Sequence, residues 1–332
     1  MFTETATPGS AAATPTGTPT PAATLTGVGL AYVTNAGSGT VSVIDVRTNA
    51  LAATIPVGRL PFGVAANATG TRVYVTNVID RTVSVIDTAT NAVVDTVTLG
   101  SLPRGVGGVA VDPSGTTVYV ANQGSGTVSV IATATGAVTT LTLGGAPVGI
   151  AIDPQGSQLF VSDSGGNTVS VVDTLTNAVS TVTVGAAPFG VAVNPAGTLL
   201  YVANSGSDTV SVVDLATRAV ASVPVGSHPL GLAVDPAGTR VYVADFSGNS
   251  VSVIETSDNS VTSIPVENNP FGVAVDPTGT RVYVTNYNGG TVSVINAADH
   301  TVTSVNVGEH PAGFGRFIAP NAGGAVVARQ AD

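Results

Sequence analysis

Cysteine and lysine are absent from this chain of 332 residues, and charged residues make up only 9% of it. Without cysteine there can be no disulfide framework, no zinc–thiolate site and no thiol nucleophile. Without lysine, 10 arginines stand against 20 acidic residues, and the net charge is −10. Proteins that bind nucleic acid usually carry a basic patch whose charges displace counterions. The composition therefore argues against nucleic-acid binding and against an anionic membrane surface.

Long hydrophobic runs are also missing. The apolar stretches have the length of a strand and are interrupted by Asp, Asn, Pro or Gly, so none reaches the roughly 20 residues of a transmembrane helix. Hydrophobic residues nevertheless make up 43% of the sequence. That share suits β-strands that are packed on both faces.

Residues 1–26 consist almost entirely of Thr, Ala, Pro and Gly. Such a segment cannot bury enough side chain to offset its ordering entropy, so we predict a disordered tail or linker. Because Thr/Pro-rich stretches occur as stalks at cell surfaces, we expect a secreted or cell-envelope protein whose signal sequence is not present in this chain. An ordinary disordered cytoplasmic tail is the alternative. Residues 319–332 are predicted to be a C-terminal tail.

A four-residue pattern, Tyr-Val-Thr-Asn with close variants, recurs seven times along the rest of the chain. Neighbouring copies begin 41 to 45 residues apart, a period typical of propeller blades or helical repeat arrays. The copies are Tyr32–Asn35, Tyr74–Asn77, Tyr119–Asn122, Phe160–Asp163, Tyr201–Asn204, Tyr242–Asp245 and Tyr283–Asn286.

Each repeat contains four short runs rich in Val and Thr, as in 189–193, 200–204, 209–214 and 219–225. The first connection reads Asx-Pro-x-Gly in five repeats, which is the composition of a type I turn. Four antiparallel strands joined by tight hairpins form one blade, and only neighbouring blades can cover its apolar faces. The sequence therefore predicts an all-β, seven-bladed β-propeller over residues 27–318.

The order of the strands predicts how the ring closes. The Gly-Val-Ala-Val strand that precedes Tyr-Val-Thr-Asn occurs six times and is followed by a degenerate seventh copy at 313–318. We expect this C-terminal strand to pair with the N-terminal strands 31–35, 40–45 and 51–57 and so to complete the last blade. This pairing would remove two open sheet edges.

The repeated PFGVAV, DPxGT, VYVTN and TVSVID segments resemble the YVTN-repeat β-propeller family over residues 28–318. The resemblance implies the seven-bladed fold. It also implies a likeness to cell-surface layer components and secreted scaffold proteins, with lactone-hydrolysing and antibiotic-linearising lyase propellers as more distant relatives. No catalytic motif of these relatives can be transferred residue by residue.

Ligands of propellers bind at the central channel and at the face where it opens. That face carries the blade-to-blade connections and the second hairpins, and departures from the repeat's own consensus fall there on five consecutive blades. We predict a polar and aromatic binding sector at the channel mouth. It consists of Arg59, Arg81, Arg104, His228, Phe246, Asn268, Asn269, Tyr287, Glu309 and His310.

His228 and His310 are the candidates for a metal site or a general base, with Glu309 as a carboxylate partner. Imidazole and carboxylate would suit zinc or copper. Two histidines on short, proline-braced loops more often form hydrogen bonds, so we predict no metal and no cofactor. No serine stands in the Gly-x-Ser-x-Gly context of a nucleophile elbow, so no catalytic residue is assigned.

Two further sets of residues are given structural roles. Aspartates that end the third strand of a blade are predicted to cap turns rather than to bind metal. They are Asp45, Asp87, Asp173 and Asp214. Phenylalanines that follow the connection prolines are predicted to pack in the core or at the channel mouth. They are Phe62, Phe189 and Phe271.

The leading functional hypothesis is a non-catalytic secreted or cell-surface scaffold, a monomer that binds protein or glycan through the channel-mouth face. The Thr/Pro-rich segment, the absent cysteine and the simple hairpins favour it. The first alternative is a propeller hydrolase or lyase, lactonase-like and metal-assisted, that acts on a cyclic ester at the channel mouth. A second alternative is single-stranded nucleic-acid binding, which predicts salt-sensitive retention on DNA.

Overall fold

The computed structural model describes residues 29–99 and 106–319, so the two predicted tails lie outside it except for Ala319. The described residues form 28 strands in seven four-stranded antiparallel sheets. Nowhere in these residues is there a helix with the length and apolar character of a membrane span. The predicted all-β, seven-bladed propeller with four antiparallel strands per blade is confirmed.

The blades are numbered in chain order. Blade 1 contains β1 (Leu30–Asn35), β2 (Thr40–Asp45), β3 (Ala50–Pro56) and the last strand, β28 (Ile318–Ala319). Blade 2 contains β4 (Pro61–Ala66), β5 (Arg72–Asn77), β6 (Thr82–Asp87) and β7 (Ala92–Thr98). Blade 3 contains β8 (Val106–Val111), β9 (Thr117–Asn122), β10 (Thr127–Ala132) and β11 (Val138–Thr142). Blade 4 contains β12 (Pro147–Ile152), β13 (Gln158–Asp163), β14 (Thr168–Asp173) and β15 (Val179–Thr183).

The last three blades follow the same order. Blade 5 contains β16 (Pro188–Val193), β17 (Leu199–Asn204), β18 (Thr209–Asp214) and β19 (Val220–Pro224). Blade 6 contains β20 (Pro229–Val234), β21 (Arg240–Asp245), β22 (Ser250–Glu255) and β23 (Val261–Pro265). Blade 7 contains β24 (Pro270–Val275), β25 (Arg281–Asn286), β26 (Thr291–Asn296) and β27 (Val302–Asn306).

The Asx-Pro-x-Gly turns close the first hairpin of a blade as the sequence predicts. In blade 6 the N–H of Gly238 donates to the carbonyl oxygen of Asp235 at 3.0 Å. The side chain of Asp235 accepts the N–H of Thr239 at 2.7 Å. Gly238 has a φ of 72°, in the left-handed region where a side chain would be strained. The turn thus needs both its aspartate and its glycine.

The turn between the third and fourth strands is held by the aspartate that precedes it. In blade 5, Oδ1 of Asp214 accepts the N–H groups of Ala216 at 3.1 Å and Thr217 at 2.7 Å. The predicted capping role is confirmed at all four positions, Asp45, Asp87, Asp173 and Asp214.

The tyrosine of the repeat links neighbouring blades. The hydroxyl of Tyr32 in blade 1 donates to Oδ1 of Asn91 in the last turn of blade 2 at 2.7 Å. The hydroxyl of Tyr283 in blade 7 donates to Oδ1 of Asn49 in blade 1 at 2.9 Å. Both asparagines occupy the left-handed region, with φ values of 51° and 55°, where Asn is better tolerated than other side chains. These two bonds join blade 1 to blade 2 and blade 7 to blade 1.

Ring closure occurs as predicted, through a shorter strand. β28 pairs with β1 in antiparallel register, Leu30 with Ala319 and Ala31 with Ile318, so the closing sheet has the order β28-β1-β2-β3. Of the predicted C-terminal strand at 313–318, only Ile318 belongs to β28. The difference arises because residues 313–316 leave β1 and turn into the channel.

Residues 313–316 bridge blade 1 to blade 2. The carbonyl oxygen of Phe314 accepts the N–H of Val64 at 2.9 Å, and that of Arg316 accepts the N–H of Ala66 at 3.1 Å. Gly315 has a φ of 123°, which only glycine adopts readily. The closing segment is thus joined to the blades on both sides of it.

Candidate functional site

The blade-to-blade connections and the second hairpins lie on one face of the propeller, here called the mouth face, and the other hairpins lie on the opposite face. In the six connections that the structure describes, the residue before the proline is fixed by a backbone bond. The carbonyl oxygen of His228 accepts the N–H of Phe246 at 3.1 Å, and that of Asn269 accepts the N–H of Tyr287 at 2.9 Å. The N–H of His228 donates to Oδ1 of Asp208 at 2.7 Å. These bonds place the variable side chains at the rim.

Four phenylalanines close the mouth-side end of the channel beneath this rim. Phe62, Phe189 and Phe271 follow connection prolines, and Phe314 comes from the closing segment. The Phe314 ring lies 5.5 Å from Phe62 and 5.1 Å from Phe189, measured between ring centroids. Below Phe314 the channel holds a cavity of only about 30 Å³. The three connection phenylalanines therefore pack at the mouth, as predicted, and with Phe314 form a floor.

Two partly exposed aromatic residues connect this floor with two histidines. The ring of Phe246 lies 6.1 Å from Phe271 and 5.9 Å from His228. The ring of Tyr287 lies 5.7 Å from Phe271 and stacks on His310 at 4.8 Å with an interplanar angle of 26°. We call these five residues, His228, Phe246, Phe271, Tyr287 and His310, the mouth cluster.

His310 is exposed, and its Nδ1 lies 3.3 Å from the carbonyl oxygen of Tyr287. A carbonyl oxygen can only accept, so this contact favours the tautomer in which Nδ1 carries the proton. Nε2 then holds the lone pair. An imidazole with this tautomer can accept a proton from water or from a substrate.

Asn269 is positioned between the two hairpins of the cluster. Its Nδ2 donates to the carbonyl oxygen of Phe246 at 3.0 Å, and its Oδ1 accepts a hydrogen bond from Nδ2 of Asn288 at 2.7 Å. Both ends of the amide are engaged within the fold. We therefore assign Asn269 to holding the hairpins of blades 6 and 7 together.

The predicted arginines do not join the mouth cluster. Nε of Arg59 pairs with Oδ1 of Asp80 at 2.6 Å, and the Arg59 N–H donates to the same carboxylate at 2.7 Å. The hydrogen bonds from Arg59 lower the pKa of Asp80. Arg81 lies in the turn directly before β6 and has a φ of 56°. Arg104 lies outside the described residues.

Asn268 and Glu309 are exposed at the rim. The N–H of Glu309 donates to Oγ of Ser38 at 2.8 Å, which anchors its backbone rather than its carboxylate. Within the part of the chain that the structure describes, no side-chain hydrogen bond or ring contact joins either residue to the mouth cluster. The structure thus brings together the predicted residues His228, Phe246, Asn269, Tyr287 and His310.

A metal site at the two histidines receives no support from the geometry. No three His, Cys, Asp or Glu side chains in residues 29–99 and 106–319 are grouped so that they could hold a metal ion. His228 and His310 instead lie against different aromatic rings, Phe246 and Tyr287. The absence of a metal or cofactor stays a prediction.

Asp245, which directly precedes Phe246, is a buried residue that sequence reasoning missed. Its Oδ2 accepts hydrogen bonds from the hydroxyls of Ser250 at 2.9 Å and Ser252 at 2.8 Å, while Oδ1 is buried without a partner. Burial raises the pKa of Asp245 to about 6. The available signal was the change from Asn, which five other repeats carry at this position, to Asp.

Phe314 is the second residue that was missed. It is only 5% exposed and belongs to the degenerate seventh copy of the inner strand. In that copy Ala312 stands where blades 2, 5 and 7 have phenylalanine, and Phe314 follows two residues later. This shift of the phenylalanine by two residues could have indicated that an aromatic ring still fills the mouth of the channel.

This chain is similar to one protein family and to several solved structures. Residues 62–178 match the family described as "Lactonase, 7-bladed beta-propeller". No curated protein matches the chain. Among solved structures, the hydrazine synthase of Kuenenia stuttgartiensis is 21% identical, with 80% of this chain and 92% of that chain covered and a TM-score of 0.73. A functionally unknown protein from Desulfotomaculum acetoxidans is 17% identical, with coverages of 86% and 99% and a TM-score of 0.72. Both structural similarities show a shared fold alone.

The expectation of a non-catalytic scaffold is wrong, because the match of residues 62–178 to a lactonase family contradicts it. That match favours the alternative, a lactonase-like propeller. The expectation rested on composition and on simple hairpins, which describe how the blades pack. It gave less weight to the departures from the repeat, which place the imidazole of His310 against Tyr287 at the mouth of the channel.

Proposed function

We propose that this protein is a propeller hydrolase that opens a lactone, a cyclic ester, at the mouth cluster. The match of residues 62–178 to a lactonase family supports the reaction class. The single observation that carries the location is the 3.3 Å contact of Nδ1 of His310 with the carbonyl oxygen of Tyr287, which favours Nε2 as the proton acceptor at the mouth cluster. His228, on the far side of Phe246, is assigned to substrate binding.

In the proposed reaction Nε2 of His310 accepts a proton from a water molecule while the water oxygen bonds to the carbonyl carbon of the lactone. The bond between that carbon and the ring oxygen then breaks, and the ring oxygen receives the proton back from the imidazolium. The product is the hydroxy acid. The carbonyl oxygen of Tyr287 stabilises the imidazolium by its hydrogen bond with Nδ1. Because the described residues offer no three-ligand metal site, the proposal rests on this base rather than on metal-bound water.

The test is a panel of lactones of different ring size, with ring opening followed by proton release near pH 7.5. His310→Gln removes the base and is expected to lower kcat/KM by about 100-fold or more. His300→Gln is the matched control, because His300 lies in a turn on the opposite face and also has a positive φ, 60°. Thermal melts establish that both variants fold. If the wild type opens no lactone, or if His310→Gln retains the wild-type rate, the proposal is refuted.

Several features of the protein outside the reaction remain proposals. From the Thr/Pro-rich residues 1–26 we propose a secreted or cell-envelope location, which cell fractionation tests. The repeat unit resembles that of the YVTN-repeat family, and we propose that the blades descend from it. A protein or glycan partner, the lack of nucleic-acid binding and a monomeric state stay predictions. Light scattering on the purified chain measures the oligomeric state.

A further inference from the structure

A cleft separates blades 2 and 3 on the opposite face, away from the mouth cluster. Its volume is about 580 Å³, within the range of small-molecule sites. Valines of β6 and β7, together with Ile131 of blade 3, form an apolar wall. Asn67, Thr71 and Tyr74 contribute polar groups. Val94 of the wall is 54% exposed, so apolar surface is left uncovered here.

The cleft has a cause in the sequence. Tyr74 of blade 2 is the counterpart of Tyr32, and the residue of blade 3 that corresponds to Asn91 is Gly136. The tyrosine–asparagine bond that joins blade 1 to blade 2 therefore has no equivalent between blades 2 and 3. Tyr74 and Gly136 both line the cleft.

Only the side chain of the asparagine is missing, because the backbone of the turn is preserved. Gly136 has a φ of 68°, close to the 51° of Asn91. A Cβ atom added at Gly136 would have no heavy atom within 4 Å, so the space that an asparagine would enter is open. Tyr74 lines the same cleft as Gly136, and this turn has no asparagine to which the Tyr74 hydroxyl could donate.

The charges at the cleft favour a neutral ligand. Nη1 of Arg72 is engaged, because it pairs with Asp87 and donates to the carbonyl oxygen of Thr71 at 2.9 Å. Asp95 lies at the cleft and is exposed, so its negative charge opposes an anion. Tyr74 adds a neutral hydroxyl donor to the residues that line the cleft together with Gly136.

We propose that this cleft binds a small neutral amide. Its carbonyl oxygen would accept the hydrogen bond of the Tyr74 hydroxyl, as Oδ1 of Asn91 does for Tyr32. Its apolar substituent would cover the valine wall and lose contact with water. This site is independent of the mouth cluster and of the proposed lactone hydrolysis.

The probe is N-cyclohexylacetamide, and its binding to the full chain is measured by saturation-transfer NMR at ~1 mM, a concentration suited to fragment affinities. Gly136→Asn introduces the asparagine that four other blades carry at this position and is expected to weaken binding at least about tenfold by filling the space and engaging Tyr74. Tyr74→Phe keeps the ring, removes the donor and is expected to weaken binding about two- to tenfold.

The matched control is Gly39→Asn, which makes the same change at a positive φ of 65° on the mouth face and is expected to leave binding unchanged. Thermal melts check folding, and Tyr74→Phe keeps the test intact if Gly136→Asn does not fold. No saturation transfer from the wild-type protein to the probe would overturn the proposal. Equal binding by the wild type and the folded Tyr74→Phe and Gly136→Asn variants would overturn it as well.

Discussion

Asp245 on the mouth face and two turn aspartates on the opposite face are held in opposite ways. On the mouth face Asp245 is buried, and burial raises its pKa to about 6. On the opposite face, hydrogen bonds from the backbone and side chain of Thr176 lower the pKa of Asp173, and those from Thr217 lower the pKa of Asp214. An ionised carboxylate thus opposes folding at the first position and stabilises a turn at the other two.

Two apolar side chains that depart from the repeat show a similar contrast. Phe314 beneath the mouth face is 5% exposed, whereas Leu175 in a turn of the opposite face is 90% exposed. Phe314 is thus packed into the fold, and Leu175 is left in water. A packed residue holds its neighbours in fixed positions, which is what a binding or catalytic site requires.

The largest effect is expected for Phe314→Ala. Removing this ring leaves a cavity among Phe62, Phe189 and Phe271, and the free energy of unfolding should fall by about 3–5 kcal/mol. Leu175→Ala, its counterpart on the opposite face, should change it by less than about 0.5 kcal/mol. Urea unfolding measures both variants. Similar losses in the two would break the contrast between packed and exposed departures.

A gain of stability is expected for Asp245→Asn, which restores the residue of five other blades. The pKa of Asp245 rises from 3.8 to about 6 on folding, and each unit corresponds to about 1.4 kcal/mol, so the gain should be about 2–3 kcal/mol at pH 7.5. Because the native state binds this proton more tightly than the unfolded chain, the penalty is complete above pH 6 and is relieved as the pH falls toward 3.8. The variant and the wild type should therefore converge near pH 4, and a constant difference from pH 4 to 7.5 would contradict this account.

A smaller change of opposite sign is expected for Asp214→Ala. The lowered pKa means that the unfolded chain binds this proton more tightly, so the carboxylate stabilises the turn at neutral pH. That contribution is lost as the pH falls below 3.8 through the lowered value. Unfolding free energies of the variant should lie below those of the wild type at pH 7 and approach them in acid. A variant as stable as the wild type at pH 7 would remove one half of the comparison.

The blades could be predicted from the sequence because each of their hairpins is a local structure. The predicted strand at 209–214 coincides with β18, since Thr209 and Asp214 are bounded by turns whose residues define them. The closing segment could not be predicted in the same way. Its path depends on bonds to Val64 and Ala66, about 250 residues away in the chain, and on the backbone freedom of Gly315.

The candidate site could be predicted only in part for a similar reason. Comparing the repeats identified His228, Tyr287 and His310, because their differences from the consensus are visible in the chain itself. It could not show that Arg59 is paired with Asp80. Nor could it show the contact between Nδ1 of His310 and the carbonyl oxygen of Tyr287, because no sequence pattern encodes that distance.

The most direct test of a ligand site at the mouth cluster uses the fact that the chain has only 3 histidines. Their ring protons are followed by NMR while a γ- or δ-lactam, which copies a lactone ring but resists opening, is added. The account predicts that the resonances of His228 and His310 shift together and saturate, while that of His300 stays in place. Unchanged His228 and His310 resonances, or a shift at His300 alone, would contradict it.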